Sequence, residues 1–480
     1  MTSPFARLLF ILAVLGSCFC PGSRAIAVQP LQARPHIVIF VIDDLGYADV
    51  GFNGGREIQT PAIDALAAEG TVLAAHYVQP VCSPTRAALL TGRYATRTGV
   101  YTIVRPNARW GLPLGERTLA DALRQAGYTT AITGKWHLGE YIPALRPTAR
   151  GFDHQYGHYF GAIDYYLHNR DGQADWYRDD KPLSEDGYST ELIAAEASRL
   201  IAQHKPVADS KPLFLYVPFN GVHAPLQVPE SYLQPYSALK GNRRTYAGML
   251  AAVDVAIGRI TAALRDAGML DNTLVLFTAD NGGPSPGVVT SNGDFRAGKG
   301  TLYEGGVRGC AFVRWPGKIP AATRSEQPVH VIDWFPTLVR FAGGSLEQPE
   351  PIDGLDLAPM LMEGKPSPHD SILLVQSPRR AAVRAGDWKL IQSRDSADVN
   401  ASPDGKSAKK SNGKAARKKK AGQADSPTAA ETGPELYHLR EDPGEKNNVA
   451  SAHPDVVARL SRQLDQWLQN AVPPGNPTEP

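Results

Sequence analysis

His36-Ile-Val-Ile-Phe-Val-Ile42 runs straight into Asp43-Asp44. A short, continuously apolar and largely β-branched run of this kind reads as a strand buried on both faces. The carboxylate pair behind it puts polar chemistry at the strand's carboxyl end. Similar runs recur at Tyr128–Thr133, Pro212–Pro218 and Thr273–Thr278. Between them lie segments with a helical period. Thr60–Glu69 opens on a Thr-Pro pair suited to an N-cap and first helical position. Arg117–Ala126, Tyr188–Gln203 and Tyr246–Ala267 follow, the last with apolar residues three and four apart. Buried strands alternating with amphipathic helices predict an α/β domain over residues 28–365, built on a large, mostly parallel sheet flanked by helices.

The pattern changes near residue 366. Ile372–Gln376, Ala381–Ile391 and Glu435–Leu439 read as short strands without long helices between them, and Pro454–Ala471 reads as an amphipathic helix. A smaller α+β domain is expected over 366–480. Ser393–Gly433 interrupts it with a stretch rich in Ser, Ala, Gly, Asp and Lys. Such a stretch buries too little apolar surface to offset its ordering entropy, so it reads as a disordered loop between two strands. The alternative is a tether for an acidic polysaccharide.

Composition bounds the function. The chain has 480 residues, 42% hydrophobic and 20% charged, which fits a folded enzyme of two or three domains. No transmembrane span is expected after the N-terminus. Residues 1–27 have the layout of a signal peptide: Arg7, the apolar stretch Leu8–Cys20, then Ala25-Ile-Ala27. A secreted or periplasmic location follows, with lipoprotein processing at Cys18 as a second reading of Leu15-Gly-Ser-Cys18. Cys18 and Cys20 leave with the signal. Cys82 and Cys310 remain, too few for a disulfide framework. Net charge is +2, but residues 406–420 alone carry eight basic side chains. Without that run and the signal, the body lies near −8. A uniformly basic surface is excluded, and nucleic acid is not expected as a partner.

The strongest motif is Val81-Cys82-Ser83-Pro84-Thr85-Arg86, continuing Ala-Ala-Leu-Leu-Thr-Gly-Arg93. Here the chain resembles the sulfatase family, whose signature is Cys-x-Pro-x-Arg followed by a helix and Thr-Gly-Arg. The resemblance runs from Ile37 to about Leu361 and implies an alkaline-phosphatase-like sulfatase fold. It also implies oxidation of Cys82 to formylglycine by a formylglycine-generating enzyme that reads the Cys, Pro and Arg. The chemical logic stands without the family. A thiol–sulfate adduct has no easy way to release sulfate. An aldehyde hydrate has two hydroxyls: one attacks sulfur, and deprotonating the other expels sulfate, which splits one hard step into two easier ones. Read alone, Cys82 would be an inert small residue in a loop.

Asp280 and Asn281 end the Thr273–Thr278 run as Asp43 and Asp44 end the first. In an open parallel sheet, ligands gather outside the carboxyl ends of the strands. Three carboxylates and one amide oxygen select Ca2+ or Mg2+ over soft metals. Taken singly, each pair could be a turn or a helix cap. The resemblance implies Ca2+ ahead of Mg2+, with the formylglycine oxygen at Cys82 completing the shell. Gly134-Lys-Trp-His-Leu-Gly139, Asn220-Gly-Val-His-Ala-Pro225 and Lys299 before Glu304-Gly-Gly-Val-Arg308 match further sulfatase motifs. By that resemblance Lys135 binds the sulfate and the formylglycine oxygen, and His137 deprotonates the second hydroxyl. His223 and Lys299 contact the sulfate and protonate the leaving alcohol. Arg86 stabilises the hydrate, and Asp280 accepts the proton of the attacking hydroxyl.

Flanking stretches at Tyr77–Pro80, Lys211–Tyr216, His223–Pro229, Tyr246–Met249 and Asp333–Leu338 resemble the arylsulfatase B, or N-acetylgalactosamine-4-sulfatase, branch. The substrate so implied is a sulfated glycan bearing N-acetylgalactosamine 4-sulfate. That branch is stapled by disulfides, some near its substrate loops, and this chain must hold the loop Tyr101–Pro113 differently. Arg105 and Arg109 in that loop either bind a sugar carboxylate bidentately or are plain surface. Two rival classes are a phosphate or phosphonate hydrolase on the same scaffold and a non-catalytic binder of sulfated glycans. Cys82 argues against most phosphatases, which use Ser or Thr; the complete set of acid–base and metal positions argues against the binder.

Overall fold

The first strand, β1 (His36–Ile42), is buried along its whole length and divides its side chains between two cores. Ile37, Ile39 and Val41 join one cluster; Val38, Phe40 and Ile42 join the other. This is the period of two that a strand imposes when both faces are covered. The computed structural model describes residues 34–204, 211–393 and 433–475; the expected signal peptide with Cys18 and Cys20, and residues 394–432 of the lysine-rich stretch, lie outside them.

After β1 come α1 (Pro61–Ala68), β2 (Thr71–Leu73), α2 (Cys82–Thr91), α3 (Leu119–Gln125), β3 (Thr129–Lys135) and β4 (His154–His158). They are followed by β5 (Tyr177–Arg178), β6 (Lys181–Pro182), α4 (Ser189–Gln203), β7 (Leu213–Phe219) and α5 (Gly241–Asp266). β8 (Thr273–Ala279), β9 (Ala311–Arg314), β10 (Thr323–Ser325) and α6 (Trp334–Phe341) complete this part. Ten strands form one sheet in the order β10-β2-β9-β8-β1-β7-β3-β4-β5-β6. The central five, β8-β1-β7-β3-β4, are parallel, with antiparallel pairs on either side. Helices α2, α3 and α6 cover one face, and α1, α4 and α5 cover the other. Each large apolar side chain so buried contributes roughly 1.5–3 kcal/mol.

The helices begin where local chemistry lets them. Thr118 and Asp121 exchange side-chain and backbone hydrogen bonds in a capping box at the start of α3. Helix α5 starts at Gly241, five residues ahead of the expected Tyr246; Gly-Asn-Arg-Arg-Thr carries no apolar period by which the sequence could announce it. Among the described residues α5 is also the one helix long and apolar enough to cross a membrane by length and composition. Its apolar face belongs to the second core cluster, from Tyr246 to Leu264.

Past residue 366, β11 (Ile372–Ser377), β12 (Arg380–Ala385), β13 (Trp388–Ser393) and β14 (Glu435–His438) form an antiparallel sheet, followed by α7 (Pro454–Leu468). One expectation is corrected here. Ala381–Ile391 is a hairpin rather than a single strand: Ala385 pairs with Trp388 across Gly386-Asp387, with Gly386 at φ +59°. A two-residue Gly-Asp connection between strands is hairpin chemistry. β13 and β14 pair directly, so the lysine-rich stretch joins neighbouring strands. One face of this sheet packs with α7 into the first core; the other packs on Tyr77, Leu302, Tyr303 and Val307.

A buried ionic seam ties the smaller sheet, through Lys389 on β13, to the segment around Glu304 that precedes β9. Lys389 Nζ lies 2.9 Å from Glu304 Oε1 and 2.8 Å from Glu445 Oε1, and none of the three side chains is exposed. Glu304 Oε2 also accepts from Tyr77 Oη at 2.8 Å and pairs with Arg308 at 3.2 Å. Lys389→Met leaves Glu445 without its counter-charge and Glu304 with Arg308 as its remaining ion-pair partner, so it is expected to lower unfolding stability by roughly 3–5 kcal/mol in denaturant titration. A loss below about 1 kcal/mol, the range of an exposed pair, would mean the seam does not hold β13 to the Glu304 segment.

Candidate active site

Strand register assembles the site. Ile42 pairs with Ala279 on one side and Phe219 on the other, so Asp43, Asp280 and Asn220 leave the sheet side by side. Asp280 N donates to Ile42 O at 3.1 Å, and Asp43 N donates to Gly221 O at 3.0 Å. Lys135 ends β3, and its ammonium bonds the Asp43 carboxylate. Asp44 and His137 take φ of +63° and +60°. Such conformations persist in non-glycine residues where surrounding structure enforces them.

Helix α2 delivers Cys82 at its first residue, nearly fully buried. Thr85 Oγ1 accepts from Gln79 N at 2.9 Å and donates to Gln79 O at 3.2 Å, which fixes the turn into the helix. Gly92, at φ +69°, ends the helix with its amide on Ala88 O. One turn in from Cys82, the buried Arg86 lies 2.8 and 3.2 Å from Asp280 Oδ2 through Nη2 and Nε, and its Nη1 donates to Lys135 O at 3.1 Å. Lys299 Nζ lies 2.6 Å from Asp44 Oδ1, and His223 Nε2 lies 3.6 Å from Asp44 Oδ2. Asn281 Nδ2 donates to Asp44 Oδ1 at 2.8 Å.

These contacts push neighbouring groups in different directions. Burial and the charge of Asp43 raise Asp280 to about 6, against the pull of Arg86. Asp44 meets the same burial, but Lys299 and His223 outweigh it and hold this carboxyl well below its ordinary range. Burial raises the Cys82 thiol against Lys135 and Lys299, so an unmodified thiol stays protonated here. Burial, then Lys135 and Arg86, lowers His137 far below the usual imidazole range; burial and Lys299 lower His223 to about 4. Both rings are therefore neutral at pH 7, and His137 Nδ1 is buried without a partner.

The donor set fits a hard cation. Asp43 Oδ1 and Asn281 Oδ1 are buried oxygens that accept no hydrogen bond. Bare buried oxygens beside two further carboxylates suit a Ca2+-type ion. Asp43, Cys82 and Asp280 offer ligand atoms within 4.8 Å of one another, as do Asp43, Asp44 and His223.

A cavity of about 250 Å³ opens over Cys82, lined also by His137, Gly161, His223, Lys299, Arg105 and Arg170. A cleft of about 690 Å³ near Glu69, Arg314 and Lys318 is larger but holds no nucleophile or ligand cluster, so chemistry rather than size selects the site. The structure brings together Asp43, Asp44, Cys82, Arg86, Lys135, His137, His223, Asp280, Asn281 and Lys299. Arg109 stands apart: it bonds Tyr141 Oη at 3.1 Å and lies over that ring. Sequence reasoning missed three residues. Ser83 Oγ donates to His137 O at 2.8 Å and accepts from Val104 N at 3.1 Å, tying helix, strand end and loop together. Its signal was its place inside the Cys-x-Pro motif. Gly161, packed against the His137 ring, and Arg170, in the cavity wall, had no sequence signal.

A family model described as Sulfatase matches residues 35–344. Arylsulfatase J of Mus musculus is 35% identical, over 92% of this chain and 77% of its own length. N-acetylgalactosamine-6-sulfatase of Mus musculus is 36% identical, over 75% of this chain and 70% of its own. The crystal structure of Ps i-CgsB in complex with k-i-k-neocarrahexaose superposes with a TM-score of 0.78 at 30% identity, covering 92% of this chain and 94% of that one.

A Cβ at Gly161 would lie 2.4 Å from the His137 ring atoms Cε1 and Nε2. Gly161→Ala must therefore displace the imidazole, and a misplacement of that order costs roughly 10²-fold in kcat. Steady-state kinetics together with a melting curve check this. Unchanged kcat in a folded variant would show that the position of His137 does not matter.

Proposed function

This chain belongs to the sulfatase family and is a sulfuric ester hydrolase; from that premise we propose that it removes sulfate from a sulfated glycan through a formylglycine formed at Cys82. The observation that carries this reading is the convergence on one buried cysteine of three carboxylates, an orphaned amide oxygen and cationic groups from separate segments. The raised thiol of Cys82 supports it too, because the unmodified side chain is a poor nucleophile in this setting. As a hydrate, formylglycine supplies one hydroxyl to attack sulfur and a second whose deprotonation expels sulfate. Ca2+ held by Asp43, Asp44, Asp280, Asn281 and residue 82 would supply Lewis acidity toward a sulfate oxygen.

The chain's own residues do the rest. Lys135 and Lys299 bring positive charge to the sulfate oxygens, where negative charge grows in the transition state. Arg86 fixes the Asp280 carboxylate beside residue 82. Asp280, raised toward 6, is placed to take a proton from the attacking hydroxyl. His137 is neutral, the form that accepts a proton from the second hydroxyl; general base work of this kind contributes roughly 10²–10⁴-fold. His223 gains proton affinity when an anionic ester binds beside it, which suits it to protonate the leaving alcohol with Lys299.

A relative named for N-acetylgalactosamine 6-sulfate and a structural neighbour bound to neocarrahexaose support a carbohydrate ester. Within that class the arylsulfatase B-like flanks nominate N-acetylgalactosamine 4-sulfate. The signal-like residues 1–27 support export, and with it maturation by a formylglycine-generating enzyme.

The test is turnover of an aryl sulfate, N-acetylgalactosamine 4-sulfate, N-acetylgalactosamine 6-sulfate and an aryl phosphate by the matured enzyme. Sulfate esters are expected to lead, with activity lost to EGTA and restored by Ca2+. Preference for the phosphate ester would overturn the reaction class. Turnover of the aryl sulfate with neither sugar sulfate cleaved would confine the failure to these substrates.

A further inference from the structure

The mouth of the cavity carries two guanidinium groups that the chemistry above leaves unused. Arg105 and Arg170 both line it, and no acidic side chain does. Lys299 and His223, deeper in, already face Asp44. Arg105 has no side-chain hydrogen bond or ion pair among the described residues. Arg170 has one ion pair, to Asp171 Oδ2 at 3.8 Å on a side chain 94% exposed, and a longer-range charge interaction with the buried Asp175. A pair that exposed holds little energy, so Arg170 is free to exchange it.

Both arginines stand on fixed backbone. Val104 N donates to Ser83 Oγ at 3.1 Å, and Ser83 adjoins Cys82 in the chain, so Arg105 keeps its register with the reacting residue. Two residues on, Asn107 N donates to the Glu140 carboxylate. The side chains of Asn107 and Gln173 exchange amide hydrogen bonds of 3.0 and 3.3 Å. Gln173 belongs to the hairpin of Asn169–Arg170 and Gln173–Ala174. The loop that bears Arg105 and the hairpin that bears Arg170 are thereby latched to each other across the cavity mouth.

We propose that Arg105 and Arg170 form a subsite for a second oxyanion of the substrate, a ring sulfate or a uronate carboxylate next to the scissile ester. This rests on the reading of Cys82 as the centre of sulfate ester hydrolysis. Guanidinium forks pair bidentately with either oxyanion, which a point-charge ammonium does not. The preferred glycan is then one with clustered negative charge, and a singly sulfated monosaccharide is a poorer substrate.

The test compares wild type with Arg105→Gln, Arg170→Gln and the double variant. Substrates are an aryl sulfate, a disulfated disaccharide and a monosulfated disaccharide with a neighbouring uronate. The readout is the ratio of kcat/KM for each disaccharide to that for the aryl sulfate. The double variant is expected to lower this ratio by about tenfold or more, through KM, as loss of hydrogen bonds to a charged group would. A fall confined to the disulfated substrate assigns a sulfate to the subsite; a fall confined to the uronate substrate assigns a carboxylate. An unchanged ratio on both overturns the proposal. So does a wild type that cleaves the aryl sulfate and neither disaccharide, although the sulfatase reading then stands. A wild type that cleaves no sulfate ester at all removes both.

Discussion

Three carboxylates, Asp43, Asp44 and Asp280, are buried together where β1 and β8 end, and the site is arranged around keeping them charged. An unpaired buried carboxylate costs several kcal/mol even after the protein relaxes around it. Arg86 from α2, Lys135 from β3 and Lys299 from the segment before Glu304 answer that cost from three separate directions. The compensation is uneven: Asp44 is held strongly acidic, while Asp280 is pushed toward 6 by burial and by its closeness to Asp43. Asp43 Oδ1 and Asn281 Oδ1, left bare, mark where a hard cation completes the balance.

The same charges dictate what Cys82 can be. Burial penalises a thiolate there most, and Asp43 and Asp280 add to the penalty against the pull of Lys135 and Lys299. A neutral, hydroxyl-bearing group escapes that burial penalty. Helix α2 places residue 82 at a fixed point because the Thr85–Gln79 bonds, the Ser83–His137 bond and the Arg86–Asp280 pair each fasten a different face of its first turn. The C-terminal sheet takes part at a distance. Lys389 and Glu445 hold Glu304, and Gln376 Nε2 donates to Gly300 O at 2.6 Å, so the segment bearing Lys299 is gripped on both sides.

What was legible in the sequence was what local chemistry writes locally. The apolar run of β1 announced a two-faced strand, and the Cys82-x-Pro84-x-Arg86 motif announced a helix after it, whereas the helix begins at Cys82 itself and holds Arg86 one turn in. Strand runs followed by acidic or basic residues announced the carboxyl-end site, because parallel register does the rest. The Gly386-Asp387 turn was legible as hairpin chemistry but lay hidden in an apolar run. Gly161, Arg170 and the Lys389 seam were not legible. Gly161 meets His137, Lys389 meets Glu304 and Arg170 meets the cavity over Cys82 only once the chain has folded. Arg109 shows the converse: a plausible ligand by its loop, it is taken by Tyr141.

The central claim is that residue 82 works as an aldehyde hydrate and not as a thiol. Mass spectrometry of the peptide spanning Cys82, on protein coexpressed with a formylglycine-generating enzyme, tests it most directly. The account predicts conversion of the cysteine to formylglycine or its hydrate. A persistent thiol, with a control sulfatase converted in the same cells, would contradict it.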